Sequence, residues 1–270
     1  MSAPREDERP AAWFVPAGFV IGMVGALCGI GGGILAGPFL HAYRKVPLKR
    51  AAASAILVVL ATTLAATTAE FFRQDSALRW PVVLPLALGA LLGARFGFAL
   101  SRRIDERALK RVFALVLALA ALRVLFFTSS LTPPDVLPGH STSALALAIG
   151  VAAGVLTPLF GVAGGVLMVP ALFLFLGQPF GVARACALAA GAVSAVLSLW
   201  LHARAGNVSA SLGLPLAGGA LFGALAGVVA AHDPLLAPMG RVLLGLVLLT
   251  QAGRFFLELR RTASSEPARG

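Results

Sequence analysis

The 270-residue chain is 59% hydrophobic and 12% charged, with 22 Lys and Arg against 11 Asp and Glu for a formal net charge of +11, and its mean hydropathy is +0.90. Soluble domains are about 45–50% apolar and about 25% charged, so this composition excludes a water-soluble globular fold and requires lipid as the surrounding partner. The positive excess falls in short clusters between apolar runs, where it reads as membrane topology and not as a nucleic-acid surface.

In chain order, residues 1–12 form a polar N-terminal tail with no cleavable leader standing out. Apolar segments follow at about 13–43, 51–72, 81–101, 112–128, 144–177, 185–203, 211–231 and 239–257, and residues 258–270 form a polar C-terminal tail. All eight are expected to be helical, because an open strand cannot satisfy its backbone in lipid. A spanning helix needs about 20 apolar residues. The first and fifth segments exceed that, and each is interrupted by glycines and carries a proline. The expected fold is an all-α integral membrane protein.

The chain repeats itself. At a shift of about 132 residues, Cys28-Gly-Ile-Gly-Gly-Gly-Ile-Leu-Ala-Gly-Pro38 falls on Phe160-Gly-Val-Ala-Gly-Gly-Val-Leu-Met-Val-Pro170, Pro47 falls on Pro179, and Ala51-Ala-Ala-Ser54 falls on Ala183-Arg-Ala-Cys186. At a shift of about 130, Pro85-Leu-Ala-Leu-Gly-Ala-Leu-Leu-Gly falls on Pro215-Leu-Ala-Gly-Gly-Ala-Leu-Phe-Gly. This divides the membrane region into one repeat at 13–128, a Pro-, Ser- and Thr-rich linker at 129–143, and a second repeat at 144–257.

Charge then selects a topology. If every segment crossed once, the clusters at 44–50 and 102–111 would lie opposite the tail carrying Arg260, Arg261 and Arg269, against the tendency of Lys and Arg to share one side. If the first and fifth segments enter and return as hairpins, both clusters, His202, Arg204 and the tail share one face. Each half then crosses three times, so the two repeats are inverted, a common transporter plan. The C-terminal tail is expected on the cytoplasmic side.

Two glycine clusters break the long segments: Gly29, Gly31, Gly32 and Gly33 with Pro38, and Gly161, Ala163, Gly164 and Gly165 with Pro170. Irregular backbone at membrane depth is tolerated where protein buries it or it lines a cavity. A helix starting at such a break aims free N–H groups at the gap and can receive an anion. Close helix packing is the alternative reading. For Gly89, Gly93 and Gly97, and for Gly219, Gly223 and Gly227, small-residue packing is preferred.

Ionisable groups inside the apolar segments are functional candidates. Arg95 could attract an anion, pair with a carboxylate or snorkel, and Arg184 could meet a solute at a pathway mouth or anchor at the interface. Glu70 and His202 are repeat-related and are candidates for proton coupling or interfacial residues. Thr62, Thr63, Thr67 and Thr68 could serve oxyanion oxygens or their own helix backbone. Ser54, its counterpart Cys186, and Cys28 lie close in sequence to the breaks. The two cysteines offer no disulfide framework or metal spacing. No Ser/His, Asp/Asp or HExxH pair lies within helical reach, so neither enzyme chemistry, a cofactor nor a metal is expected.

At GALCGIGGGILAGPFL (25–40), GVLTPLFGVAGGVLMVPALF (154–173), the following Pro47…AAASAI and Pro179…ARACAL, and the paired PLALGALLGARFG and PLAGGALFGALAG, the chain resembles the TauE/SafE sulfite exporter family over residues 14–257. The resemblance implies a bacterial inner-membrane transporter of small sulfur-containing anions such as sulfite or organosulfonates. The second copy departs from the first with Ala163 in place of Gly31, and Cys186 stands where a hydroxyl residue is common. Alternating access between the repeats is the expected mechanism. A passive anion channel and a non-catalytic accessory subunit are the alternatives, and a homo-oligomer is compatible with either.

Overall fold

The computed structural model describes residues 13–44, 48–100, 114–115, 117–119, 121–122, 139–160 and 164–264. Helices are α1 (Phe14–Cys28), α2 (Gly33–Arg44), α3 (Leu48–Phe71), α4 (Trp80–Leu100), α5 (Gly139–Phe160), α6 (Gly165–Phe175), α7 (Phe180–Arg204), α8 (Ala210–His232) and α9 (Ala237–Ser264). The described residues between 114 and 122 are also helical, and no strand occurs among the described residues. Among the described residues, five helices, within α3, α4, α5, α7 and α8, are long and apolar enough to cross a membrane. Two boundaries differ from expectation. α5 begins at Gly139, inside the expected linker, and α9 continues to Ser264 through Leu, Glu and Arg, all good helix formers.

The first long segment is a hairpin. α1 ends at Gly29, and the rings of Phe14 at the start of α1 and Phe39 late in α2 are 6.0 Å apart, so α2 returns to the face where α1 began. The reversal needs left-handed backbone, which glycine adopts without strain: φ is 79° at Gly29, 68° at Gly31 and 72° at Gly32. The fifth segment also turns back. Gly164 packs on Ala153, although eleven residues of continuous helix would separate them by about 16 Å.

α3 then crosses from the face where α2 ends, here the near face, to the loop at 72–79 on the far face. Its repeat partner α7 runs antiparallel to it, since Glu70 pairs with Arg184 while Ile56 and Val59 cluster with Ala195 and Leu199. That opposite direction is the inversion expected from charge.

The repeats exchange helices. α1 packs along α8 and α4 along α5, each pair in the same chain direction. Methyl groups added to Gly219, Gly223 and Gly227 would overlap the carbonyl oxygens of Val15, Phe19 and Met23, and those on Gly18 and Gly22 would overlap Leu216 and Ala220. In the other pair, Gly89, Gly93 and Gly97 abut the carbonyls of Leu147, Val151 and Val155, while Gly150 and Gly154 abut Leu86 and Ala90. Glycine ridges on both partners bring backbone against backbone, which suits lipid, where no hydrophobic force draws helices together.

Gly223→Leu is expected to cost about 1–3 kcal/mol from overpacking, read as a lowered melting temperature in detergent. Gly218 has nothing within reach of an added methyl group, so Gly218→Ala is expected to be neutral or to stabilise by up to about 1 kcal/mol. Equal loss in the two variants would overturn the assigned helix faces.

Candidate functional site

The two breaks meet. The carbonyl oxygen of Gly29 lies directly against the α-carbon of Gly165, and Gly29 also packs on Val169 and on the Cα and Cγ of Arg184. Any side chain at Gly29 or Gly165 would separate the repeats at this point. Gly161 and Ala163 lie outside the described residues, so only Gly164 and Gly165 of the second cluster are placed, both buried. Pro170 is buried within α6 and Pro38 is half-buried within α2.

At the first break, the chain uses most of its own donors. The N–H of Gly29 donates to Ala26 O at 3.3 Å, and those of Ile30 and Gly31 donate to Gly25 O at 2.9 and 3.2 Å. These bonds close the end of α1, so the expectation of free N–H groups at Gly29 and Gly31 is corrected. The opening turn of α2, at Gly32, Gly33 and Ile34, is the part whose N–H groups have no helical acceptor. Thr62 from α3 adjoins Gly32; it is fully buried, and its hydroxyl has no hydrogen-bond partner among the described residues. Thr63 instead donates to Val59 O at 2.7 Å. Of the four threonines considered, Thr62 is thus the one presented to the break.

Arg184 and Glu70 are each 1% exposed, and they are the buried cation and the buried carboxylate among the described residues. The Arg184 guanidinium donates to Glu70 Oε1 and, through Nη1, to Ala26 O at 3.4 Å. His232 joins them from α8, with Nε2 3.0 and 3.1 Å from the two Glu70 oxygens. Its Nδ1 lies 3.3 Å from Asp75 Oδ2 in the far-face loop. Arg73 holds Asp75 through two bonds of 3.0 and 3.1 Å, keeping its carboxyl below the usual range. One chain of charge therefore runs from exposed Asp75 to buried Arg184 beside the break.

The other candidates separate. His202 lies towards the near face, with Nε2 3.1 Å from Pro158 O at the end of α5 and its ring edge-on to Phe98. Its Nδ1 is buried without a partner among the described residues, which fits a neutral ring donating from Nε2. Arg95 is a correction: it is exposed on the outer surface of α4, because the glycine face of that helix is taken by α5 and position 95 points away from it. Ser54 and Cys186 have structural partners. Ser54 Oγ accepts from Ser209 N at 3.0 Å, and Cys186 Sγ donates to Arg79 O at 3.9 Å. Each thus steadies the entry of the other repeat's glycine-faced helix. Cys28 is buried beside the break. His232 escaped the sequence reading because the seventh apolar segment was ended one residue before it. Among the described residues, no three His, Cys, Asp or Glu side chains converge as a metal site.

Removing one member of a buried ion pair strands the other, at about 3–5 kcal/mol. Arg184→Met and Glu70→Met are each expected to lower thermal stability by that amount, and the double variant Arg184→Met/Glu70→Met to lose less than either. A double variant whose loss equals the sum of the singles would show that the pair is not coupled.

The family profile described as Sulfite exporter TauE/SafE matches residues 2–124 and 145–269. A "Probable membrane transporter protein" of Methanocaldococcus jannaschii is 27% identical over 184 residues, 65% of each chain. The "Probable membrane transporter protein YunE" of Bacillus subtilis is 26% identical over 108 residues, 40% of this chain and 39% of that one. The "Probable membrane transporter protein MamO" of Paramagnetospirillum magneticum is 30% identical over 131 residues, 46% of this chain and 20% of that one. The match therefore spans less than two thirds of the length of each of these relatives. No solved structure matches the chain.

Proposed function

We propose, from the premise that this chain belongs to the sulfite exporter TauE/SafE family of membrane transporters, that it carries a small sulfur-containing oxyanion by alternating access between its two repeats. The observation that carries this reading is the meeting of the two glycine breaks, Gly29 against Gly165, beside the single cluster that buries Arg184. An oxyanion has several acceptor oxygens on a small body. The opening turn of α2, the Thr62 hydroxyl and the Arg184 guanidinium are donors of the kind that suit it.

Alternating access is supported by the different closure of the two faces. On the far side an ionic cluster joins α3 of the first repeat to α7 and α8 of the second; on the near side the ring of His202 on α7 meets that of Phe98 on α4 of the first repeat. A rigid rock of one repeat against the other would open one closure while keeping the second. The basic clusters favour the near face and the C-terminal tail on the cytoplasmic side of a bacterial inner membrane. Glu70 and His202 are the repeat-related titratable groups at the two faces, and Glu70 is the one with charged partners.

Purified protein in liposomes, offered sulfite, thiosulfate, sulfate, sulfoacetate or chloride, tests the reading. Saturable, selective uptake of a sulfur anion is expected. Gly32→Leu is expected to abolish it, since φ there is 72° and Ile21 and Thr62 leave no room. Thr62→Val is expected to weaken apparent affinity by about 10–150-fold, the value of one lost hydrogen bond to a charged group. Non-saturable flux of all the anions would instead mark a passive channel. No flux above protein-free liposomes from folded protein would overturn the anion reading.

A further inference from the structure

The imidazole of His232 stands between two carboxylates, one buried and one in water. Nε2 is 3.0 Å from Glu70 Oε1 and Nδ1 is 3.3 Å from Asp75 Oδ2. The Glu70, His232 and Asp75 side chains are 1%, 14% and 63% exposed, a graded series from the glycine break to the far face. Both ring nitrogens are thus engaged by acceptors, which is the arrangement by which an imidazole passes a proton. The charged and titratable groups around the Glu70–Arg184 pair are Cys186 on α7, His232 on α8, Cys28 on α1, and Arg73, Asp75 and Arg79 in the far-face loop. Of the cations, Arg184 is the one that Glu70 holds while both are fully buried.

We infer that the Glu70 carboxylate is an internal stand-in for the transported anion at Arg184, displaced when a proton reaches it by way of Asp75 and His232. The inference rests on the transport reading above and adds to it the coupling ion, its route and the group it acts on. The step balances as follows. A proton from far-face water is taken by Asp75 and passed from its Oδ2 to His232 Nδ1, leaving Asp75 a carboxylate again, and Nε2 gives its own proton to a Glu70 oxygen. The ring is left neutral in its other tautomer and Glu70 becomes a neutral acid.

Protonated Glu70 no longer compensates Arg184. A buried guanidinium without a counter-charge is costly, so an oxyanion is drawn to take the vacated position. By linkage the effect is reciprocal: anion at Arg184 favours the proton on Glu70 as much as the proton favours the anion. One proton then accompanies each anion, and a monovalent anion crosses without net charge. His202 takes no part, since its partner is a carbonyl oxygen that cannot accept a transferred proton.

The test uses full-length protein and sulfite as the probe. Calorimetric titration with sulfite in two buffers of different ionisation enthalpy counts protons taken up on binding. Liposomes with a trapped pH indicator count protons that move with sulfite. Beyond the protons exchanged by sulfite's own ionisation, wild-type protein is expected to take up about one proton per anion bound; Glu70→Gln is expected to bind sulfite with no proton beyond that ionisation. Asp75→Asn and His232→Gln keep the Glu70–Arg184 pair and so guard against a folding defect. They are expected to slow proton-driven uptake by about tenfold or more, with a smaller effect on sulfite–sulfite exchange.

Sulfite bound and moved by wild type without proton uptake would overturn the inference while leaving the transport reading standing. So would unchanged proton-driven uptake in both Asp75→Asn and His232→Gln. Sulfite that neither binds nor moves in folded wild type would overturn the transport reading, and the inference with it.

Discussion

A helix broken inside a bilayer must be wrapped in protein, because its unpaired backbone groups find no partner in lipid. This protein has two such breaks, and its architecture follows from covering them. Each break is covered by the other, through Gly29 and Gly165. The half-helices leading into them are covered by the exchanged partners, α8 along α1 and α4 along α5. The packed glycine ridges are thus part of the same device as the breaks: they bring the neighbouring backbones close enough to leave lipid out.

Much of this plan was legible in the chain. The two copies of the glycine and proline pattern placed the breaks, and the distribution of basic residues separated a hairpin from a simple crossing. The partners of the site were not legible. α3, α4 and α8 are apolar on nearly every face, so no hydrophobic stripe tells which side meets protein and which meets lipid. Arg95 therefore looked central and is peripheral, while Ser54 and Cys186 looked like site residues and brace helix entries. Arg184 and Glu70 are 114 positions apart, and nothing in the local sequence of either announces the other. His232 sits where an apolar run stops, a position that reads as an interfacial end unless its contacts are known.

The inversion of the repeats does not make them alike. Position 70 is Glu and its counterpart 202 is His; position 184 is Arg and its counterpart 52 is Ala. The far face is consequently closed by ionised groups that are costly to separate in a low dielectric. On the near face the contact between the repeats is the uncharged one of the His202 and Phe98 rings. A scaffold that is symmetric in backbone thus carries an asymmetric energy difference between its two closed ends.

The exchange of helices also shapes the protein's birth. α1 emerges first, yet the ridge that fits its glycines is on α8, about 180 residues later, a delay of roughly ten to forty seconds at ordinary synthesis rates. Through that interval the first hairpin sits in the bilayer with its small-residue face unpartnered. α4 and α5 come close to each other in sequence and can dock much sooner. Assembly is therefore expected to begin at the junction between the repeats and to finish by joining the two ends of the chain. An unassembled chain in the membrane would be one that presents the α1 ridge to lipid, to a second copy, or to the cell's quality control.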